Sequence, residues 1–462
     1  MARPTAIYYG EDAGDTYYFW QWIGVDLTEP RIHRRSAEQM LETISRLERA
    51  LPGGSAGDND SPADIVTTLK SGAFSDRDTE LKLARELSDL LLPVEFAREI
   101  VELSTRSGAP VLLRILPSPS SARVPWELLT IVVDGAEPHE HRLIEFADIA
   151  LDPPAGIHAG RSQKPDDWSP EHTTRPAVYV IDPDTAVEGF VLRSDQSKVF
   201  RAAATGPWMP ANPEPHGILT RQRLSELLTS AERPSRLVFV GHVASADSQP
   251  GATSMLLSDG PRMYGIADVI TRGGRLNRPF SAFDAVEGTL NSQQRARKLS
   301  DGTGPLALTD AEWPTRDRAE REGAKIWPMP ARVALIACNS GRDIGHPEPF
   351  GLAIAFINAG AGLVTSTRWT LPTDEAMSRA GQPPDVEPLL RMALVVDGAL
   401  AQEEPEHVLA EWQRSELEIW KHQTPGDLSH SPIIWAALST YLAPRKELRD
   451  VSGRLQRESS DP

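Results

Sequence analysis

A chain of 462 residues, 40% hydrophobic and 24% charged, has apolar material for about two or three domains of roughly 150 residues each. Its formal net charge of -17 argues against direct nucleic-acid binding, because phosphate contacts need a concentrated basic face. One cysteine, Cys338, excludes an intramolecular disulfide, a multi-cysteine zinc site and a CxxC redox pair. The start lacks the apolar stretch of a signal peptide, and no run approaches the ~18 apolar residues of a membrane span. The expectation is a cytoplasmic protein with no membrane contact.

The chain opens on an aromatic run, Tyr17 to Val25, that reads as a strand. Met40, Ile44 and Leu47 then recur at helical spacing behind Ser36, a candidate cap. The run from Pro52 to Pro62, rich in glycine, serine and aspartate, reads as a linker, so residues 1–62 form a segment of their own. Two helices follow, one through Leu81, Ala84, Leu87 and Leu91 and one through Phe96, Ile100 and Leu103, and then a strand from Val111 to Leu116. Residues 152–176 are polar, proline-rich and irregular. Ala177 to Ile181 opens a second series of strands, with a helix through Arg221, Leu224 and Leu228 before the apolar run Arg236 to Val240. From 272 to 330 periodicity is poor and arginine frequent, which reads as a long insertion: a solvated loop, a gate or partner site, or a segment cut on activation. Val333 to Ala337 is another apolar run; Phe350 to Ala359 is an apolar helix ending at Gly360 and Gly362; Leu363 to Thr367 is the next strand. The last residues, 444–462, are a charged tail. Alternating strands and helices predict an α/β fold.

Two of these runs end on chemistry. Arg236 to Val240 runs into Gly241-His242, and Val333 to Ala337 into Cys338. If the two are neighbouring parallel strands, thiol and imidazole emerge together at the carboxyl edge of the sheet, where open α/β sheets carry their sites. That pair is the minimal equipment for covalent acyl transfer. Taken alone, the spacing favours a plainer reading, in which Cys338 is a small core hydrophobe and His242 caps a loop. The chain has no GxSxG elbow, no GxxxxGK[ST] loop and no HExxH, so neither a metal nor another cofactor is expected.

Ordered blocks around these two residues resemble the CHAT family of caspase-like cysteine peptidases. The blocks are Val124-Pro125-Trp126-Glu127-Leu128-Leu129, Arg142 to Glu145, Val240-Gly241-His242, Ser254 to Gly260 and Val333 to Gly341. Gly351 to Gly362, Ser366-Thr367-Arg368-Trp369 with Asp374, and Ser431 to Ala437, which resembles a late strand of the family, complete the set, with Ser431 where the family more often has histidine. The match spans roughly residues 80 to 443 and leaves the first 60 or so unexplained. It implies a caspase-like three-layer sandwich on a mostly parallel sheet, with a degenerate first part (63–160) packed on an active part (177–443). Cys338 would be the nucleophile and His242 the general base and acid. Backbone N–H groups of Cys338 and Val243 would form the oxyanion hole, although Val243 stands where caspases carry glycine. Ile336, where caspases have a glutamine, argues against strict aspartate specificity. Ser366 to Trp369 would pair with an extended protein substrate, Trp369 walling an apolar subsite; on residue type alone Trp369, like Trp126 and Trp435, reads as a core aromatic. Glu127 and Asp374 read as structural hydrogen-bonders. The family also implies a regulatory protein partner, an ATPase or a repeat-containing sensor, in a bacterial conflict or cell-death system. A catalytically weak adaptor is the competing reading, favoured by Val243 and the insertion.

Overall fold

A computed structural model describes residues 3–25, 31–52, 62–133, 141–154, 168–187, 189–209, 216–244, 251, 253–263, 265–272, 274–289, 323–338 and 350–443. The charged tail and most of both the linker and the 272–330 insertion lie outside these.

Strands β1 (Thr5–Ala13), β2 (Asp15–Ile23) and β3 (Arg31–Arg35) come first. They are followed by β4 (Val111–Leu116), β5 (Thr130–Ile131), β6 (His141–Arg142) and β7 (Ala147–Leu151). Next are β8 (Ala177–Ile181), β9 (Trp208–Met209), β10 (Arg236–Ala244), β11 (Ser254–Met255), β12 (Ile270–Arg272), β13 (Arg275–Asn277) and β14 (Phe280–Ser281). The series closes with β15 (Arg332–Cys338), β16 (Leu363–Thr367) and β17 (Leu438–Leu442). Thirteen of them form one sheet in the order β14-β11-β10-β15-β16-β17-β7-β4-β1-β2-β3, with β8 on β10 and β9 on β8. β1, β4, β7 and β17 are joined in parallel, as are β9, β8, β10, β15 and β16. Within this sheet, and among the described residues, antiparallel pairing is confined to β1–β2, β2–β3, β10–β11, β11–β14 and β16–β17. The fold is thus mixed α/β on a large, mostly parallel sheet.

The central strands β10 and β15 are continuous apolar runs because helices cover both faces of a parallel sheet. Leu237, Val238, Phe239 and Val240 are inaccessible to solvent, as are Val333, Ala334 and Ile336. β2, at the margin, alternates instead: Tyr18, Trp20 and Trp22 face inward. Tyr8 stacks between Tyr18 and Phe96, and the indoles of Trp20 and Trp22 both donate to Glu99. The first strands therefore share a core with the helix Val94–Ser107.

Helix boundaries follow local chemistry. Ser36 accepts from the Gln39 N–H in a full capping box that starts Ala37–Ala50. Asp76 caps Arg77–Leu91, and Phe350–Asn358 ends on Gly360, whose φ of 116° suits only glycine. Two segments differ from the sequence reading. Pro432–Trp435 is one helical turn rather than a strand, because Ser431 caps it and Pro432 takes the first position. The start of the expected insertion is ordered: β12 and β13 form a hairpin, and β14 joins the main sheet. No helix among the described residues is long and apolar enough to cross a membrane.

Candidate active site at the carboxyl edge of β10 and β15

β10 and β15 are adjacent and parallel, and the register pairs Arg236 with Arg332 through to His242 with Cys338. The two residues thus sit side by side on neighbouring strands, about 4.8 Å apart along the hydrogen-bonding direction. Paired positions share a face of the sheet. Gly241, just before His242, leaves no room for a side chain: a Cβ there would lie 2.9 Å from the ring of the buried Phe239.

His242 is almost fully buried, and its Nε2 lies 3.1 Å from the carbonyl oxygen of Gly189. A carbonyl only accepts, so Nε2 carries the proton of the neutral ring and Nδ1 is its basic atom. Gly189 belongs to the loop after β8, which lies along β10 from Arg236 to Val240. Asp182, the first residue beyond β8, turns that loop with a φ of 42°, unusual for a non-glycine residue. Its carboxylate accepts from Val191 N–H at 3.0 Å and Leu192 N–H at 2.8 Å. Burial pushes the Asp182 carboxyl upward; the two amide donors and the charges of His242 and His216 pull it back. Asp182 has no place in the sequence reading of the site. The available signal was that a third apolar run of the same sheet also ends on an ionisable residue.

Val243 pairs with Met255 on β11, and Leu256 N–H donates to the His242 carbonyl. Successive amides of a strand alternate between its edges, so His242 turns its backbone groups toward β11 and Val243 turns its N–H toward β15. The second expected oxyanion donor therefore faces the strand that ends in Cys338.

The expected substrate-binding residues lie elsewhere than on an open edge. β16 is paired on one side with β15 up to Leu335–Ser366 and on the other with β17 through Ser366–Ser439 and Thr367–Leu438. Arg368 is buried in a bidentate pair with Glu127, at 2.6 and 2.8 Å, and also donates to the Ala436 carbonyl. Trp369 donates to the Ile433 carbonyl and stacks on Phe74, inside the core. Ile336 is likewise a core residue, paired with Val240. A polar or aromatic side chain after an apolar strand looks the same in sequence whether it meets a ligand or a buried partner, and here the partner is 241 residues away.

The neighbouring blocks hold the scaffold. Asp374 accepts from the Leu389 and Leu390 N–H groups at the start of the helix Pro388–Leu400, and from Gln196. Asp259 is a buried carboxylate: it accepts from the Arg221 N–H at 3.0 Å, and the Arg221 guanidinium lies between it and Asp284, at 3.6 and 3.5 Å. Among the described residues no group of histidine, cysteine, aspartate and glutamate could hold a metal ion. Compared with protein-family models and with curated proteins, the chain matches none.

Proposed function

We propose that the chain is a cysteine endopeptidase of caspase-like type, with Cys338 as nucleophile and His242 as general base and acid. The observation that carries this is the register: the only thiol of the chain is paired across parallel strands with a histidine whose tautomer is set by a backbone carbonyl. His242 Nδ1 takes the thiol proton, the sulfur attacks the peptide carbonyl carbon, and the tetrahedral oxyanion is met by backbone N–H groups, with Val243 turned in the required direction. As the C–N bond breaks, the imidazolium returns the proton to the leaving amine. Water then cleaves the thioester, again with His242 as base. The family likeness of the sequence blocks and the single large sheet both support this reading. Control by a partner protein, an ATPase or a repeat-containing sensor in a bacterial conflict or cell-death system, belongs to the same proposal.

One observation favours the adaptor reading: both edges of β16 are occupied near Ser366, so a substrate strand has no open ladder there. A peptide-library digest analysed by mass spectrometry separates the two. Wild-type protein should release peptides that neither Cys338→Ala nor His242→Ala releases. Identical peptide patterns from all three proteins, with partner proteins present, would sink the peptidase and leave the adaptor.

A further inference from the structure

We infer that Asp182 is a positioning residue for His242, acting through the loop that joins β8 to the rest of the site. The inference rests on the His242–Cys338 reading and names a component that reading does not contain. The geometry is a short chain of contacts. The Asp182 N–H donates to the Val240 carbonyl at 2.7 Å, which fixes the residue to β10 two positions before His242. Its carboxylate then clasps both Val191 and Leu192, the residues at which the loop returns. Between these anchors Gly189, with a φ of 90°, turns its carbonyl onto His242 Nε2. Remove the clasp and the carbonyl that orients the ring loses its support.

The charges of His242 and His216 act in turn on the Asp182 carboxyl and pull it down. The His216 ring packs on Phe190 of the same loop, and Cys338 holds the paired position on β15. A correctly oriented imidazole favours the thiolate of a neighbouring cysteine, so a loop that holds the ring in place bears on the reactivity of Cys338. The left-handed backbone at Asp182 is a cost that regular structure would avoid, and such costs gather where a side chain must be held in one place.

Because Cys338 is the only cysteine, alkylation by iodoacetamide reads a single site. Labelling rates from pH 5 to 9 should be compared for wild type, His242→Gln, Asp182→Asn and Asp182→Glu, each checked for folding by its thermal midpoint. Wild-type reactivity is expected to persist below the ordinary thiol range near 8.5. His242→Gln should return the profile to that range. Asp182→Asn should move it upward and slow labelling at pH 6.5 roughly threefold to tenfold, up to about one pKa unit; Asp182→Glu, which keeps the charge, should recover part of the loss. If His242→Gln leaves the profile unchanged, the dyad itself fails. If His242→Gln shifts it and Asp182→Asn does not, the dyad stands and the positioning role of Asp182 is overturned. A second measurement needs no Asp182 variant: nitrogen-15 histidine spectra of the wild type, assigned with His242→Gln, should show the Nε2–H tautomer. An Nδ1–H tautomer would overturn the role of the loop.

Discussion

Arg368→Met is expected to cost about 3–5 kcal/mol of folding stability while Glu127 remains in place. The guanidinium and carboxylate are each almost wholly buried and meet through two parallel hydrogen bonds. Much of that cost comes from the survivor: a buried carboxylate without its partner must stay charged in a poor medium or take up a proton. The double variant Arg368→Met, Glu127→Leu should therefore regain most of the loss, since a well-packed apolar pair of similar volume is often neutral or better than a buried ion pair. Urea unfolding of the two variants beside the wild type measures both effects. A single variant that loses less than about 1 kcal/mol, the range of exposed pairs, would mean that the pair is solvated in solution. The result also bears on the site, because Arg368 follows β16 directly and ties it to the chain around Glu127.

Arg221→Met should produce a loss of similar size that depends on pH. Arg221 is fully buried, with Asp259 and Asp284 on either side and its guanidinium over the Phe280 ring. Asp284 is well satisfied by Ser281, Thr289 and Ile266, whereas no donor among the described residues reaches Asp259 Oδ1. Burial raises the Asp259 carboxyl to about 6, Arg221 working against the rise and Asp284 adding to it. A carboxyl moved there from its ordinary value near 4 opposes folding by about 3 kcal/mol at neutral pH. The sign follows from proton binding: the folded protein holds this proton more tightly than the unfolded chain. The stability linked to Asp259 is thus fully present below about pH 4 and falls as pH rises to about 6. Without Arg221 the carboxyl rises further, so the difference between variant and wild type should be largest near pH 7.5 and shrink toward pH 5. Denaturant midpoints at those two pH values test this. A difference of equal size at both would show that lost packing, not charge, is what Arg221 supplies.

The legible part of this protein is what local pattern encodes. The apolar runs gave β10 and β15, and their ends gave His242 and Cys338, because a strand inside a parallel sheet is apolar until it leaves the core. Caps were equally readable at Ser36 and Gly360. Parts of the scaffold that depend on distant partners were not. Arg368 looks like a ligand-facing residue until Glu127 arrives from another segment to bury it, whereas the plain reading of Trp369 as a core aromatic agrees with its burial against Phe74 and the Ile433 carbonyl. Asp182 was hidden for a related reason: its importance lies in a left-handed turn and in two amides ten residues or fewer away, neither of which leaves a compositional trace. The short turn at Pro432 shows a local signal outweighed by a motif likeness, since serine before proline is a helix start in its own right.

The position of β17 sets an order of assembly. It alone joins the strand group β15–β16 to the group β7–β4–β1, yet it is the last strand of the series to leave the ribosome. Translation at roughly 5–20 residues per second puts about 15 to 60 seconds between the emergence of β7 and that of β17. Throughout that interval β7 has an unpaired edge, and β16 joins it for roughly the last 4–14 seconds; open strand edges are the surfaces on which neighbouring nascent chains pair wrongly. A chaperone that shields the β7 edge during synthesis would act while its partner strand has yet to be made.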